Sequence, residues 1–174
     1  MESLIKSSPM QGSIDSPRRF DGSDILGLPR TFFDKCDLRR LQNPRERLND
    51  VCMNASSSLV HLCLLTNPST QTAASRCAVF SSYVMRYAED NSHDEDLWRN
   101  TKTNLYWRAK VWVIPVHRRD SEHWVVCTIY IDEGRILFFD SFANQATLQT
   151  MVPVCVYSVY TLLFIQLRPF PVLS

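Results

Sequence analysis

The chain has four histidines, few enough to weigh singly, and His123 stands where a general base would be useful. It opens a β-branched and aromatic run, His123-Trp124-Val125-Val126-Cys127-Thr128-Ile129-Tyr130-Ile131. A second run, Arg135-Ile136-Leu137-Phe138-Phe139, ends in Asp140. Between them Asp132-Glu133-Gly134 supplies a turn in which Gly134 tolerates a positive φ. The start of one hairpin strand lies beside the end of the next, so a bulge or an offset would let His123 meet Asp140. A carboxylate bonded to one imidazole nitrogen fixes the tautomer and leaves the other nitrogen as a base. Strand-end His and Asp are common, so the pair by itself does not decide a function. The remaining histidines read blandly: His61 on a helix, His93 in an acidic loop, His117 as a loop residue beside Arg118 and Arg119.

The cysteines are Cys36, Cys52, Cys63, Cys77, Cys127 and Cys155. None forms a C-x-x-C pair, so no structural zinc is suggested, and neither a metal nor a cofactor is predicted. The first residues lack the apolar stretch of a secretory signal, so disulfides are not expected either. Reduced, mostly buried cysteines in an intracellular protein, nuclear or cytoplasmic, are the expectation.

The elements that must position these residues follow from periodicity. Leu48, Cys52, Ala55, Leu59 and Leu62 recur at helical spacing after Asn49, a good N-cap, predicting a helix over about 50–65. Cys77, Phe80, Val84 and Tyr87 signal a second helix, and residues 89–96 read as a solvated acidic loop. Val111-Trp112-Val113-Ile114-Pro115-Val116-His117 is a β-type run. With the two runs of the hairpin it makes an antiparallel meander, its apolar hairpin strands covered on both faces by the preceding helices. The class is α+β.

Composition sets the limits. At 174 residues, 45% hydrophobic and 21% charged, the chain can bury a core of one domain. Nineteen basic against 18 acidic side chains, a net +1, give no electrostatic case for nucleic acid. Residues 1–30, rich in Ser, Pro and Gly, read as a flexible leader. From Phe142 to Leu167 there is no charge, and residues 151–174 form an apolar tail of atypical sequence. Its apolar part, Met151–Leu167, is at the lower limit for a membrane helix, and Pro153, Ser158 and Gln166 oppose that reading. A buried strand or helix of the core is the other reading.

Taken together, Leu48-Asn49-Asp50, Ile114-Pro115-Val116-His117, His123-Trp124-Val125-Val126 and Phe138-Phe139-Asp140-Ser141-Phe142 come in a telling order. The string resembles the ubiquitin-like-protein-specific cysteine proteases, the SUMO or sentrin protease family, whose pattern is W-L-N-D, I-P-[VI]-H, H-W-x-L/V and F-D-S. The resemblance covers about residues 37–150. The phrases Cys77-Ala78-Val79-Phe80-Ser81 and Leu97-Trp98-Arg99-Asn100-Thr101 look like divergent fungal forms. It implies a papain-like cysteine protease fold and a thiol peptidase or isopeptidase acting on a SUMO-type modifier and its conjugates. In that family a Cys–His–Asp triad works with an oxyanion-hole Gln. The resemblance makes His123 the base, Asp140 its orienter and Trp124 a wall of the tunnel that admits the modifier's Gly-Gly terminus.

The departures are as informative. The family's nucleophile lies in a Gln…Asp-Cys-Gly stretch after F-D-S, yet no glycine follows Gly134. Cys155 is the sole cysteine after Asp140, preceded by Gln149 but flanked by Val154 and Val156, a setting that raises a thiol pKa. Arg47 stands where the family has the Trp of W-L-N-D. The expectation is therefore a half-domain: residues 31–150 as a partial catalytic domain of helices packed on the meander, its C-terminal part missing and the chain inactive. Two alternatives stay open, a non-catalytic modifier-binding module and a tail-anchored membrane protein, the membrane reading being the weaker.

Overall fold

The computed structural model describes residues 34–90, 93–142 and 145–166. The expected leader over 1–30 and the last residues of the tail lie outside them.

Local side-chain bonds fix the first helices. Asp34 caps α1 (Lys35–Gln42), its carboxylate accepting the Asp37 N–H at 2.8 Å while Asp37 returns the bond to the Asp34 N–H. The Asn49 side chain does two jobs. Its oxygen accepts the Cys52 N–H at 2.9 Å to start α2 (Asp50–Thr66), and its amide donates to Asp37 Oδ1 at 2.6 Å. The 43–49 loop is thereby pinned between two helices. Helix α2 falls where its periodicity places it and is followed by the single turn α3 (Gln71–Ala74).

The next segment corrects the sequence reading. Cys77–Val79 is not the start of a helix but strand β1, and only Tyr83–Glu89 is helical, as α4. The spacing of Cys77, Phe80, Val84 and Tyr87 runs across a strand, a turn and a helix. Burial of Phe80 and Val84 in one core, with Tyr87 packed against it, produces most of that spacing without one continuous helix. Part of the acidic stretch is also ordered: α5 (Asp94–Thr101) starts in it, with Asp94, Glu95 and Asp96 favourably at its positive end.

The sheet contains β1, β2 (Val111–Arg118), β3 (His123–Tyr130) and β4 (Arg135–Phe139) in that order. The meander β2–β3–β4 is antiparallel as expected, and β1 joins β2 in parallel, making the sheet mixed. Pro115 is accommodated inside β2 for a geometric reason. The Phe80 N–H donates to the Val113 carbonyl at 2.9 Å, so alternate residues from Val111 to Pro115 point toward β1. Pairing with β1 stops at Val113, and the missing Pro115 N–H meets no strand there. Gly134 closes the β3–β4 turn at φ 59°, its N–H on the Ile131 carbonyl.

One face of the sheet, carrying Trp112, Ile114, Val116, Val125, Cys127 and Ile129, is the core. Phe80 and Tyr106 pack on Trp112 at ring separations of 5.4 and 5.3 Å, and the Trp112 indole donates to the Tyr106 carbonyl at 3.0 Å. Burial pushes the Tyr106 phenol up to about 12. The hairpin strands are not both covered on two faces: β4 is an edge strand, with Phe139 71% exposed. The cover on the core side comes from the elements before β2, through Phe80, Val84, Met85, Leu97 and Tyr106, and is completed by a helix after the sheet. Helix α6 (Gln145–Gln166) inserts Cys155 and Leu162, both wholly buried, and the Tyr106 hydroxyl donates to the Leu162 carbonyl at 3.2 Å. The apolar tail is thus, over its described part, a core helix. Ser158 and Thr161 satisfy their hydroxyls on carbonyls one turn back. Among the described residues no helix is long and apolar enough to cross a membrane.

Candidate active site

Strand alternation builds the site. Val126 pairs with Phe139, so one further step places Asp140 opposite Val125, one pleat diagonally from His123 and on the same face. The pair therefore meets by register alone, without a bulge. His123 Nε2 lies 2.9 Å from Asp140 Oδ1, with the two side chains 13% and 4% exposed. Asp140 Oδ1 also accepts the Phe142 N–H at 2.8 Å, and the Phe142 ring stacks on His123 with centroids 3.9 Å apart.

These bonds set the direction of the hydrogen bond between the two side chains. The Phe142 N–H, then the hydrogen bond and charge of His123 and the charge of Arg118, hold the Asp140 carboxyl below its ordinary value against the opposing effect of desolvation. Asp140 is then an anion that can only accept, so Nε2 carries the proton and Nδ1 of the neutral ring carries the lone pair. Nδ1 makes no hydrogen bond to any described residue. The ring is thus oriented by Asp140, with Nδ1 open among the described residues.

Sequence reading missed two members of this cluster. Arg118 pairs directly opposite His123, is 10% exposed on its side chain, and brings Nη1 to 3.8 Å from Asp140 Oδ2 while Nη2 bonds Asp120 at 2.7 Å. At 3.8 Å it attracts without a hydrogen bond, and Asp140 Oδ2 is buried with no such partner. The alternation of Val116, His117 and Arg118 was the available signal, since it puts Arg118 on the core face with Val116. Phe142 contributes through its backbone N–H, which residue type does not reveal. Before His123, Glu122 sits in the left-handed region at φ 48°, a conformation costing roughly 1 kcal/mol, and pairs with Arg47 across the turn.

Trp124, adjacent in sequence, necessarily faces the other way. Its indole donates to the Leu48 carbonyl at 2.8 Å, tying β3 to the residue before the α2 N-cap. His117 is not a loop residue: it lies in β2, paired with Trp124, with rings 4.7 Å apart. Trp124, His117, Leu48, Arg47, Tyr83 and Arg119 are among the residues lining a cavity of about 450 Å³. Burial, and then a hydrogen bond to Asp50, push the Tyr83 phenol up to about 12.

No cysteine joins the base. Cys52, Cys127 and Cys155 are wholly buried, and Cys127 lies four residues along β3 from His123, about 13 Å of strand. Burial pushes the Cys52 and Cys77 thiols up, the opposite of what a nucleophile needs. Cys155 belongs to the core cluster with Leu162 and Ile114. Cys36 on α1 and Cys63 on α2 are exposed, and neither bonds His123. Among the described residues no group of three or more His, Cys, Asp or Glu side chains could hold a metal ion.

The site thus holds a carboxylate-bonded histidine at the edge of an α+β sheet, one residue before the tryptophan that lines the cavity. Residues 46–163, two thirds of the chain, match the Ulp1 protease family, C-terminal catalytic domain. The chain belongs to this family of cysteine proteases, which act on SUMO-type ubiquitin-like modifiers. The matched span includes the 43–49 loop's last residues, the whole sheet and most of α6. No curated protein matches the chain.

Proposed function

We propose that this chain recognises a SUMO-type modifier through the cavity beside Trp124 and does not, by itself, cleave it. In this reading His123 is the base, Asp140 its orienter and Trp124 the wall against which the modifier's Gly-Gly end lies. The observation that carries it is the mismatch between an assembled dyad and the absence of a thiol bonded to it. His123 and Asp140 are 2.9 Å apart, yet none of the six cysteines bonds the His123 ring. A base without a nucleophile supports binding without turnover, because attack on the carbonyl needs a thiolate within reach of the base.

Two measurements on the full chain test this. A SUMO-type modifier carrying a C-terminal vinyl sulfone is expected to leave the chain unlabelled. The same modifier without a warhead is expected to bind, and Trp124→Ala to weaken binding at least tenfold. Covalent labelling at any cysteine would show a working nucleophile and overturn the inactivity. Absence of binding would remove the recognition role.

A further inference from the structure

The cavity beside Trp124 carries an excess of positive charge concentrated on two side chains. Its lining includes Arg40, Arg47, Arg86 and Arg119 against only two acids, Asp50 and Glu122. Both acids are engaged: Glu122 pairs with Arg47, and Asp50 accepts the Tyr83 hydroxyl. Arg86 has Asp90 at 3.7 Å. Arg40 donates one N–H to the Arg47 carbonyl at 3.2 Å, and neither Arg40 nor Arg119 meets a carboxylate among the described residues.

Two guanidinium groups that meet no carboxylate among the described residues line one concavity with an indole, and such groups suit a flat anion at the end of an extended chain. Guanidinium matches a carboxylate through parallel charge-assisted bonds, and capture of a chain's terminal carboxylate is a recurrent recognition mode. We propose that this cavity binds the free C-terminal carboxylate of an extended peptide, with Arg119 and Arg40 as its receptors. Resting on the reading that the cavity takes a modifier tail, the proposal makes the ligand the processed, unconjugated modifier. In a conjugate the same end is a neutral isopeptide and offers no charge. A protease that turns over must release its carboxylate product, whereas unpaired arginines beside the tail would retain it. The cation excess thus agrees with the uncommitted base.

The test uses the full chain and a fluorescein-labelled octapeptide ending in Gly-Gly, prepared as the free acid and as the C-terminal amide, with binding followed by anisotropy. The free acid is expected to bind at least tenfold more tightly than the amide at low salt. That ratio is expected to fall toward one in Arg40→Gln/Arg119→Gln, and at least threefold in Arg119→Gln alone, an exposed position whose change leaves folding intact. Equal binding of acid and amide overturns the proposal while the modifier-tail reading stands. Binding of neither peptide overturns both. A tenfold preference that survives in both variants removes these two arginines as the receptors.

Discussion

Whether α6 belongs to the domain decides whether the His123 edge rests on a closed core, and Leu162→Ala tests it. Leu162 is wholly buried, packed in the cluster of Tyr106, Trp112 and Ile114, and its carbonyl accepts the Tyr106 hydroxyl. The substitution removes three carbons, about 2.4 kcal/mol at roughly 0.8 kcal/mol per buried methylene. The residual cavity adds to this, bringing the expected loss to about 3–4 kcal/mol. With a urea slope of about 2 kcal/mol per molar, the unfolding midpoint should fall by roughly 1.5–2 M. Tyr160 on the same helix is 69% exposed, so Tyr160→Ala should change stability by less than about 0.5 kcal/mol. Tryptophan fluorescence follows both transitions, with Trp112 reporting from inside the affected core. If the two variants unfold at the same urea concentration, α6 does not close this core and the placement of its residues in the fold is wrong.

Two further outcomes concern the site. The Asp140 carboxyl is held low in the fold, chiefly by the Phe142 N–H, so its stabilisation is complete above the unfolded carboxyl value and is lost as pH falls through the lower folded one. The stability difference between the parent and Asp140→Asn should therefore shrink below about pH 4, and a difference undiminished at pH 2 would contradict the assignment. Trp124→Phe keeps an aromatic wall but loses the indole donor to Leu48, which should lower stability by about 1 kcal/mol and speed amide exchange around residues 47–50. Unchanged stability and exchange would mean the bond does not tether the loop.

How much of this was legible in the sequence depends on how local the cause is. The α2 start needs only Asn49 and the apolar period behind it, and the β3–β4 turn needs only Gly134; both fall where the sequence places them. The His123–Asp140 pair was legible because period-two alternation and hairpin register are local too. Strand β1 was not, since a three-residue strand gains its identity from pairing with Val111–Val113 more than thirty residues away. Helix α6 stayed one of several open readings of the apolar tail for the opposite reason. With Tyr157 and Tyr160 facing solvent and Cys155 and Leu162 facing the core, it is apolar on both faces, and no amphipathic period marks its register. The role of Arg118 depended on distance to Asp140 across two strands, which its place in a run of basic residues hides.

The pleat of β3 gives the family half-site its logic. His123 and Trp124 are neighbours in sequence, so they face opposite sides of the sheet. The His123 side is organised by Asp140, Arg118 and the Phe142 N–H, and the Trp124 side by Leu48, His117 and the arginine-bearing loops. The two sets of supporting contacts share almost no residue. Changes on the His123 side therefore remove no contact that holds Trp124 on the other. Substitutions at Arg40 or Arg119 should therefore alter what binds in the cavity without disturbing the His123–Asp140 bond.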